Sequence, residues 1–133
     1  MELKQLKTKM EYRNTTKYSS YKRYCKTLEL KNDPGLIEEY KRIHSGTNIW
    51  PEVTDGMRDV GIVDMEIYLV ETRLFMIMDT LPDFNHQTAM TELMKKSRQS
   101  EWEKFVSRFQ ITTEDEVSTD KWELVERIFK MND

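Results

Sequence analysis

Residues 62–78 read IVDMEIYLVETRLFMIM, which is the pattern of two strands joined by a tight turn. Residues 64–69 alternate between two faces, with Met65, Ile67 and Leu69 on the apolar one. Glu71-Thr72 then provides a two-residue turn, and residues 74–78 are apolar on both faces, as in a central strand. The sequence therefore predicts an antiparallel hairpin in the middle of the chain.

Two helices are predicted before this hairpin. Asp33 can cap free helix amides, and Pro34 fits the first helical position. This helix should end at the loop 45–48, and Pro51 opens a second one that stops at Gly61, which suits a left-handed position.

Two more helices are predicted after the hairpin. Leu81-Pro82-Asp83 indicates the start of a helix that runs to about Lys96. Ser100 and Glu103 then form the pattern of a capping box at the beginning of a further helix. The stretch 110–120 is acidic and polar, and we expect it to be a loop.

The outer strands are predicted at 23–30 and 122–129, although Lys26 interrupts the apolar face of the first. The resulting order is β-α-α-β-β-α-α-β. It indicates an α+β protein with the ferredoxin-like split βαβ arrangement and a four-stranded antiparallel sheet. Helices would cover one face of that sheet. The other face, apolar on several strands, predicts a homodimer packed sheet on sheet, with space for a small ligand on that face.

Length and composition restrict the classes of partner. A chain of 133 residues suits one domain, which we place at 21–133 after a polar N-terminal extension at 1–20. The net charge of −3 gives no case for nucleic acid, and no apolar run approaches a membrane span. The N-terminus lacks the apolar core of a signal peptide, and Cys25 is the only cysteine, so we expect a cytoplasmic protein.

Few residues or motifs in the sequence are candidates for a catalytic or metal-binding role. Phosphate loops, nucleophile elbows and zinc-type Cys/His clusters are absent from the sequence. A carboxylate pair for glycoside hydrolysis stays open. His86 has polar neighbours and suits a surface position. His44 follows Tyr40 by one turn at a helix end, where it could compensate the helix dipole or transfer protons.

Several motifs resemble the signature of the L-rhamnose mutarotase family. They are EEYKRIH at 38–44, followed by IWPE at 49–52. The segments EIYL at 66–69 and LFM at 74–76, and Trp102 ahead of Lys104-Phe105, lie where the family has matching segments. The resemblance covers about residues 22–130. The stretch DMEIY at 64–68 is also similar to a related group associated with L-fucose.

This resemblance implies a dimeric α/β barrel of ferredoxin-like subunits that interconverts the α and β anomers of a 6-deoxy-L-sugar. It implies no metal or cofactor, and a small monosaccharide as the partner. By resemblance, His44 is the proton-transfer residue, and we expect it to protonate the ring oxygen while a second group or water takes the hydroxyl proton. Tyr40 and Trp102 would contact sugar, and Trp50 also matches a family position.

Three departures from the family pattern touch the predicted sugar pocket. Its adjacent tryptophan pair is here Trp102-Glu103, and a sugar-contacting tyrosine is replaced by Met65. Glu103 and Met65 are therefore included among the predicted substrate-binding residues. The loop 45–48 is longer than usual. Together these changes leave the choice between L-rhamnose and L-fucose open.

Two other functions remain as alternatives. The first is a non-catalytic sugar-binding or regulatory dimer of the same fold. The second is an oxygenase or haem-handling protein on the same dimeric barrel, with His44 as an axial ligand.

Overall fold

The computed structural model describes residues 10–15, 19–112 and 121–132. Within them the chain forms four strands and four helices in the order predicted. They are β1 (Lys22–Glu29), α1 (Pro34–Ile43), α2 (Pro51–Asp59), β2 (Ile62–Val70), β3 (Arg73–Thr80), α3 (His86–Leu93), α4 (Gln99–Val106) and β4 (Glu123–Val125), with a short 3-10 turn at Gly46–Asn48 between α1 and α2. The α+β class is confirmed.

The strands form one antiparallel sheet in the order β2-β3-β1-β4. The central hairpin is confirmed, with Val70 paired to Arg73 around a two-residue turn. Glu71 takes a positive φ of 53° in that turn, as the tight hairpin connection requires. β3 lies between β2 and β1, which explains why its residues are apolar on both faces.

The two faces of the sheet differ in what covers them. The inner face packs under the helices and buries residues such as Leu28, Leu74 and Met78, each 5% exposed or less. The outer face carries Phe75 and Tyr68, each 36% exposed. From the N-terminal segment 10–15, the ring of Tyr12 contacts that of Tyr68 with centroids 5.7 Å apart. The rest of the outer face is left without a covering element among the described residues.

Local signals fix both ends of α1. The Asp33 carboxylate accepts a hydrogen bond from the amide of Leu36 at 3.2 Å, and Pro34 opens the helix. The helix ends at Ile43, and Gly46 then turns the chain with a φ of +54°. These ends set the position of His44, which is the C-cap residue of α1.

Two predicted helix starts are wrong. α3 begins at His86 because Asn85, rather than Asp83, supplies the cap and accepts from the amide of Thr88 at 3.0 Å. The predicted capping box at Ser100 is also wrong, since α4 begins at Gln99 and the Ser100 hydroxyl donates to the carbonyl oxygen of Met94.

The last predicted strand is too long. β4 spans only Glu123–Val125, and beyond it Ile128 and Phe129 are 90% and 70% exposed. Their apolar alternation suggests a strand, but they pair with no other strand in the part of the chain that the structure describes. The predicted loop 110–120 is also corrected at its start, because Gln110 bridges to Leu30, while residues 113–120 lie outside the described residues.

No helix in the described ranges is long and apolar enough to cross a membrane.

The cap of α1 gives a test of this local account. Replacing Asp33 with alanine removes the acceptor for the Leu36 amide, and we expect the free energy of unfolding to fall by about 1 kcal/mol. Urea denaturation measures the change. Asp33→Asn retains a capping oxygen and should lose less than half as much; equal losses in both variants would show that the cap contributes nothing.

Candidate active site

A cavity of about 380 Å³ lies between the helices and the inner face of the sheet. Met65, Ile67 and Met76 form its apolar floor on β2 and β3, and Trp102 of α4 forms part of its wall. Because His44 lines this cavity, the expectation that the ligand space would lie on the second face of the sheet is wrong. α1 carries His44 and packs on the first face.

Two larger hollows lie elsewhere on the molecule. One, of about 520 Å³, is beside Arg23 and Asp79, and the other, of about 500 Å³, lies between α2 and α3. Neither includes His44 or the polar residues around it. The smaller cavity is therefore the candidate site, because a histidine, a phenol and a carboxylate with shifted pKa values line it together.

His44 is held by a single strong hydrogen bond. Its Nδ1 lies 2.7 Å from the carbonyl oxygen of Tyr40. A carbonyl oxygen can only accept, so Nδ1 carries the proton and Nε2 of the neutral ring is left as an acceptor. Burial lowers the pKa of His44, and the bond to Tyr40 opposes that effect only in part. The ring is therefore mostly neutral at pH 7.

Tyr40 lies next to His44, with ring centroids 4.3 Å apart. Its side chain is buried, and burial raises its pKa to about 12, with a further contribution from Glu103. The nearby Gln110 side chain opposes this rise in pKa. The phenol therefore stays protonated at any ordinary pH and can serve as a hydrogen-bond donor to a ligand.

The two predicted tryptophans occupy different positions. Trp102 lines the cavity, and its ring lies 5.3 Å from that of His44, edge to face. Trp50 is absent from the lining and packs behind Trp102 at 5.2 Å. Its other contacts are Phe105, stacked at 5.7 Å, and the Arg98 guanidinium, 4.1 Å above its ring. Trp50 thus holds the Trp102 wall in place.

Glu103 is among the residues that line the cavity. Its carboxylate accepts from Gln99 Nε2 at 3.1 Å and pairs with Lys121 Nζ at 3.4 Å. Burial raises the pKa of Glu103, and Lys121 opposes the rise. Five of the six predicted site residues therefore line one cavity: Tyr40, His44, Met65, Trp102 and Glu103.

Sequence reasoning missed several polar groups at this site. Thr54 and Gln110 line the cavity, and Lys26 lies close enough for its charge to act on Glu103. Lys26 is only 3% exposed, and burial lowers its pKa to about 8. The sequence feature that could have identified Lys26 is its position on the otherwise apolar face of β1. No sequence feature identifies Gln110, because its burial depends on the bridge to Leu30.

The second histidine is placed differently from His44. His86 is partly buried, and its ring lies 5.2 Å from that of Tyr24, so the surface position expected from its neighbours is only partly right. It does not line the cavity. Among the described residues, no three His, Cys, Asp or Glu side chains are grouped as a metal site.

Comparison with known proteins identifies relatives along nearly the whole chain. The sequence model of the L-rhamnose mutarotase family matches residues 23–131. A UPF0734 protein of Dictyostelium discoideum is 40% identical over 93 residues, 68% of this chain and 71% of the relative. An L-fucose mutarotase of Xanthomonas campestris is 31% identical over 114 residues, 86% of this chain and 91% of the relative.

The fold is shared with a solved structure. A crystal structure of an L-rhamnose mutarotase from Formosa agariphila superimposes with a TM-score of 0.60 and 18% identity, covering 84% of this chain and 99% of that one.

The buried charge of Lys26 gives a pH-dependent test. Its folded pKa of about 8 lies below the ordinary 10.5, so below pH 8 the protonated amine destabilises the fold, by up to about 3 kcal/mol, and the penalty fades as pH rises toward 10.5. Lys26→Met should therefore be more stable than the parent at pH 7, and the difference should shrink by pH 9.5. Urea denaturation at both pH values measures it, and a less stable variant at pH 7 would contradict the assignment.

Proposed function

The chain belongs to the L-rhamnose mutarotase family, and on that premise we propose that it interconverts the α and β anomers of a 6-deoxy-L-sugar with His44 as the proton-transfer residue. One observation carries the assignment of His44. Its Nδ1 is bound to the Tyr40 carbonyl oxygen, while Nε2 has no hydrogen bond among the described residues and the ring lines a cavity of sugar size. The relatives bear the names of L-rhamnose and L-fucose mutarotases, so either sugar is a candidate substrate.

The chemistry requires two proton movements. The anomeric hydroxyl must lose a proton, and the ring oxygen must gain one as the bond between it and the anomeric carbon breaks. Both oxygens are bonded to the same carbon, so one nitrogen can reach each in turn. A group whose pKa lies near neutrality works in both directions, and histidine is the side chain with that property.

The neutral state of His44 sets the order of these movements. In place of the second group or water expected from the sequence, Nε2 itself first accepts the proton of the anomeric hydroxyl. The carbonyl of the open-chain aldehyde forms as the ring bond breaks. The imidazolium then protonates the departing ring oxygen, which is the step expected of His44 from the family. After rotation about the bond next to the aldehyde carbon, the same steps in reverse close the ring on the other face. No net proton is gained or lost.

The other cavity residues bind and orient the sugar in this proposal. Tyr40 donates from its protonated phenol to a sugar oxygen, and its position one turn before His44 aims both groups into the same space. Trp102 covers the C–H face of the ring, with Trp50 supporting it from behind. The Glu103 carboxylate accepts from sugar hydroxyls, and Met65 gives apolar contact from the floor.

We extend the proposal to the assembly. The strand order β2-β3-β1-β4 supports a ferredoxin-like subunit at residues 21–133, with residues 1–20 as an accessory extension. The outer-face patch, made of Tyr68, Phe75 and Val125, supports a homodimeric α/β barrel packed sheet on sheet. The free thiol of Cys25 is in keeping with the cytoplasm.

Replacement of His44 tests the function directly. His44→Ala should abolish nearly all enzyme-dependent anomer exchange, measured by saturation-transfer NMR with L-fucose and L-rhamnose side by side, while the circular dichroism spectrum stays unchanged. His86→Ala is the matched control and should exchange at the parent rate, because His86 does not line the cavity. Exchange at the parent rate in His44→Ala would refute the proton-transfer role. A parent protein that binds sugar without accelerating exchange would instead favour the non-catalytic dimer.

The proposed dimer has its own test. Phe75→Arg places a charge in the middle of the outer-face patch, and we expect sedimentation velocity to change from a dimer mass to a monomer mass. Glu38→Arg, at a well-exposed position on α1, should remain dimeric. A parent protein that sediments as a monomer would overturn the sheet-on-sheet assembly.

A further inference from the structure

Gln110 has an unpaired carbonyl oxygen in the wall of the cavity. The residue is 3% exposed, and its Oε1 is buried without a hydrogen-bond partner in the described structure. Buried side-chain oxygens are nearly always paired, and one left unpaired lowers the stability of the fold. Gln110 lines the same cavity as Tyr40 and His44, so a bound ligand is the partner that this oxygen can acquire.

The position of Gln110 is fixed by its backbone. The neighbouring Phe109 carbonyl oxygen accepts from the amide of Lys31 at 2.9 Å, and the amide of Ile111 donates to the Glu29 carbonyl oxygen at 2.9 Å. These two bonds tie the segment to the end of β1. The backbone of Gln110 is therefore held beside the cavity.

The Gln110 side chain lies near the Tyr40 phenol and lowers the pKa of that phenol, against the larger effect of burial. Both residues line the cavity. The Gln110 amide and the Tyr40 hydroxyl are therefore neighbours in the same part of its wall.

We propose that Gln110 is a specificity-determining residue whose Oε1 accepts a hydrogen bond from one hydroxyl of the bound sugar. The proposal rests on the mutarotase function given above and deepens it. Sites that pair a buried polar atom with a substrate hydroxyl discriminate strongly against analogues that lack the hydroxyl, because the atom is then left unpaired. Gln110 therefore selects for a hydroxyl at one carbon of the sugar.

The other polar groups of the cavity agree with a hydroxyl-rich ligand. His44 Nε2 and the Glu103 carboxylate are acceptors, as is Gln110 Oε1, whereas Tyr40 is a donor. A ligand that satisfies three acceptors must supply several O–H donors, as a neutral sugar does.

The test uses Gln110→Met, which keeps the side-chain size and removes the carbonyl acceptor. We expect its Kd and KM for the preferred sugar to rise about tenfold. Its thermal midpoint should be equal to the parent value or higher, because the unpaired oxygen is gone. A purely structural glutamine would show the opposite, a lower midpoint with unchanged sugar binding.

Deoxy analogues of the sugar locate the contact. Titration calorimetry compares the 2-, 3- and 4-deoxy forms with the full sugar. The parent protein should bind one of these forms about tenfold more weakly than the full sugar, whereas Gln110→Met should bind that form and the full sugar equally. Gln110→Glu retains an acceptor oxygen and should keep the parent's preference.

Two results would overturn the role of Gln110. The first is that Gln110→Met binds the sugar as tightly as the parent protein. The second is that the parent protein loses the same affinity for each of the three deoxy sugars. Because calorimetry reports binding alone, a parent protein that binds these sugars without exchanging their anomers would refute the mutarotase function and leave the Gln110 contact measurable.

Discussion

The hydrogen bond from His44 Nδ1 to the Tyr40 carbonyl oxygen is the constraint on which the site depends. The Tyr40 carbonyl lies in the last turn of α1, where carbonyl oxygens have no hydrogen-bond donor within the helix. It can therefore hold the imidazole ring without an additional residue. The hydrogen bond fixes the tautomer and leaves Nε2 available. Burial keeps the ring neutral, and the helix end places it at the mouth of the space above β2 and β3.

The buried polar groups around the cavity lower the stability of the fold. An all-apolar interior between the helices and the sheet would be more stable than one that holds Lys26, Glu103 and Gln110. Each of these groups is buried against its preference: the pKa of Lys26 is lowered, that of Glu103 is raised, and Gln110 has an unpaired oxygen. Such departures from good packing are expected at functional sites, and their concentration around one cavity agrees with the role proposed for it.

Local signals made most of the fold predictable. The hairpin and α1 followed from alternation and from the Asp33-Pro34 start, which act within a few residues. The start of α3 was wrong because Asp83 and Asn85 are both good caps, and burial of Phe84 ahead of the helix decides between them. The end of β4 was wrong because Ile128 and its neighbours pair with no strand formed by residues 10–15, 19–112 or 121–132.

Residues of the candidate site could be predicted only where they belong to a recognisable sequence motif. His44, Tyr40 and Trp102 came from a resemblance, and the structure brings them together around one cavity. Lys26 could have been found from its position on the otherwise apolar face of β1. The burial of Gln110 depends on its bridge to the distant Leu30, so no local pattern predicts it. The distinction between Trp102, which lines the cavity, and Trp50, which supports it, has the same origin.

The tautomer of His44 is the most direct test of this account. Long-range ¹H–¹⁵N correlation NMR on the protein with labelled histidine reports which ring nitrogen carries the proton. We predict a neutral ring at pH 7 with the proton on Nδ1, and an Nε2 resonance that moves when L-fucose or L-rhamnose is added. A ring protonated on Nε2, or an Nε2 resonance indifferent to both sugars, would contradict it.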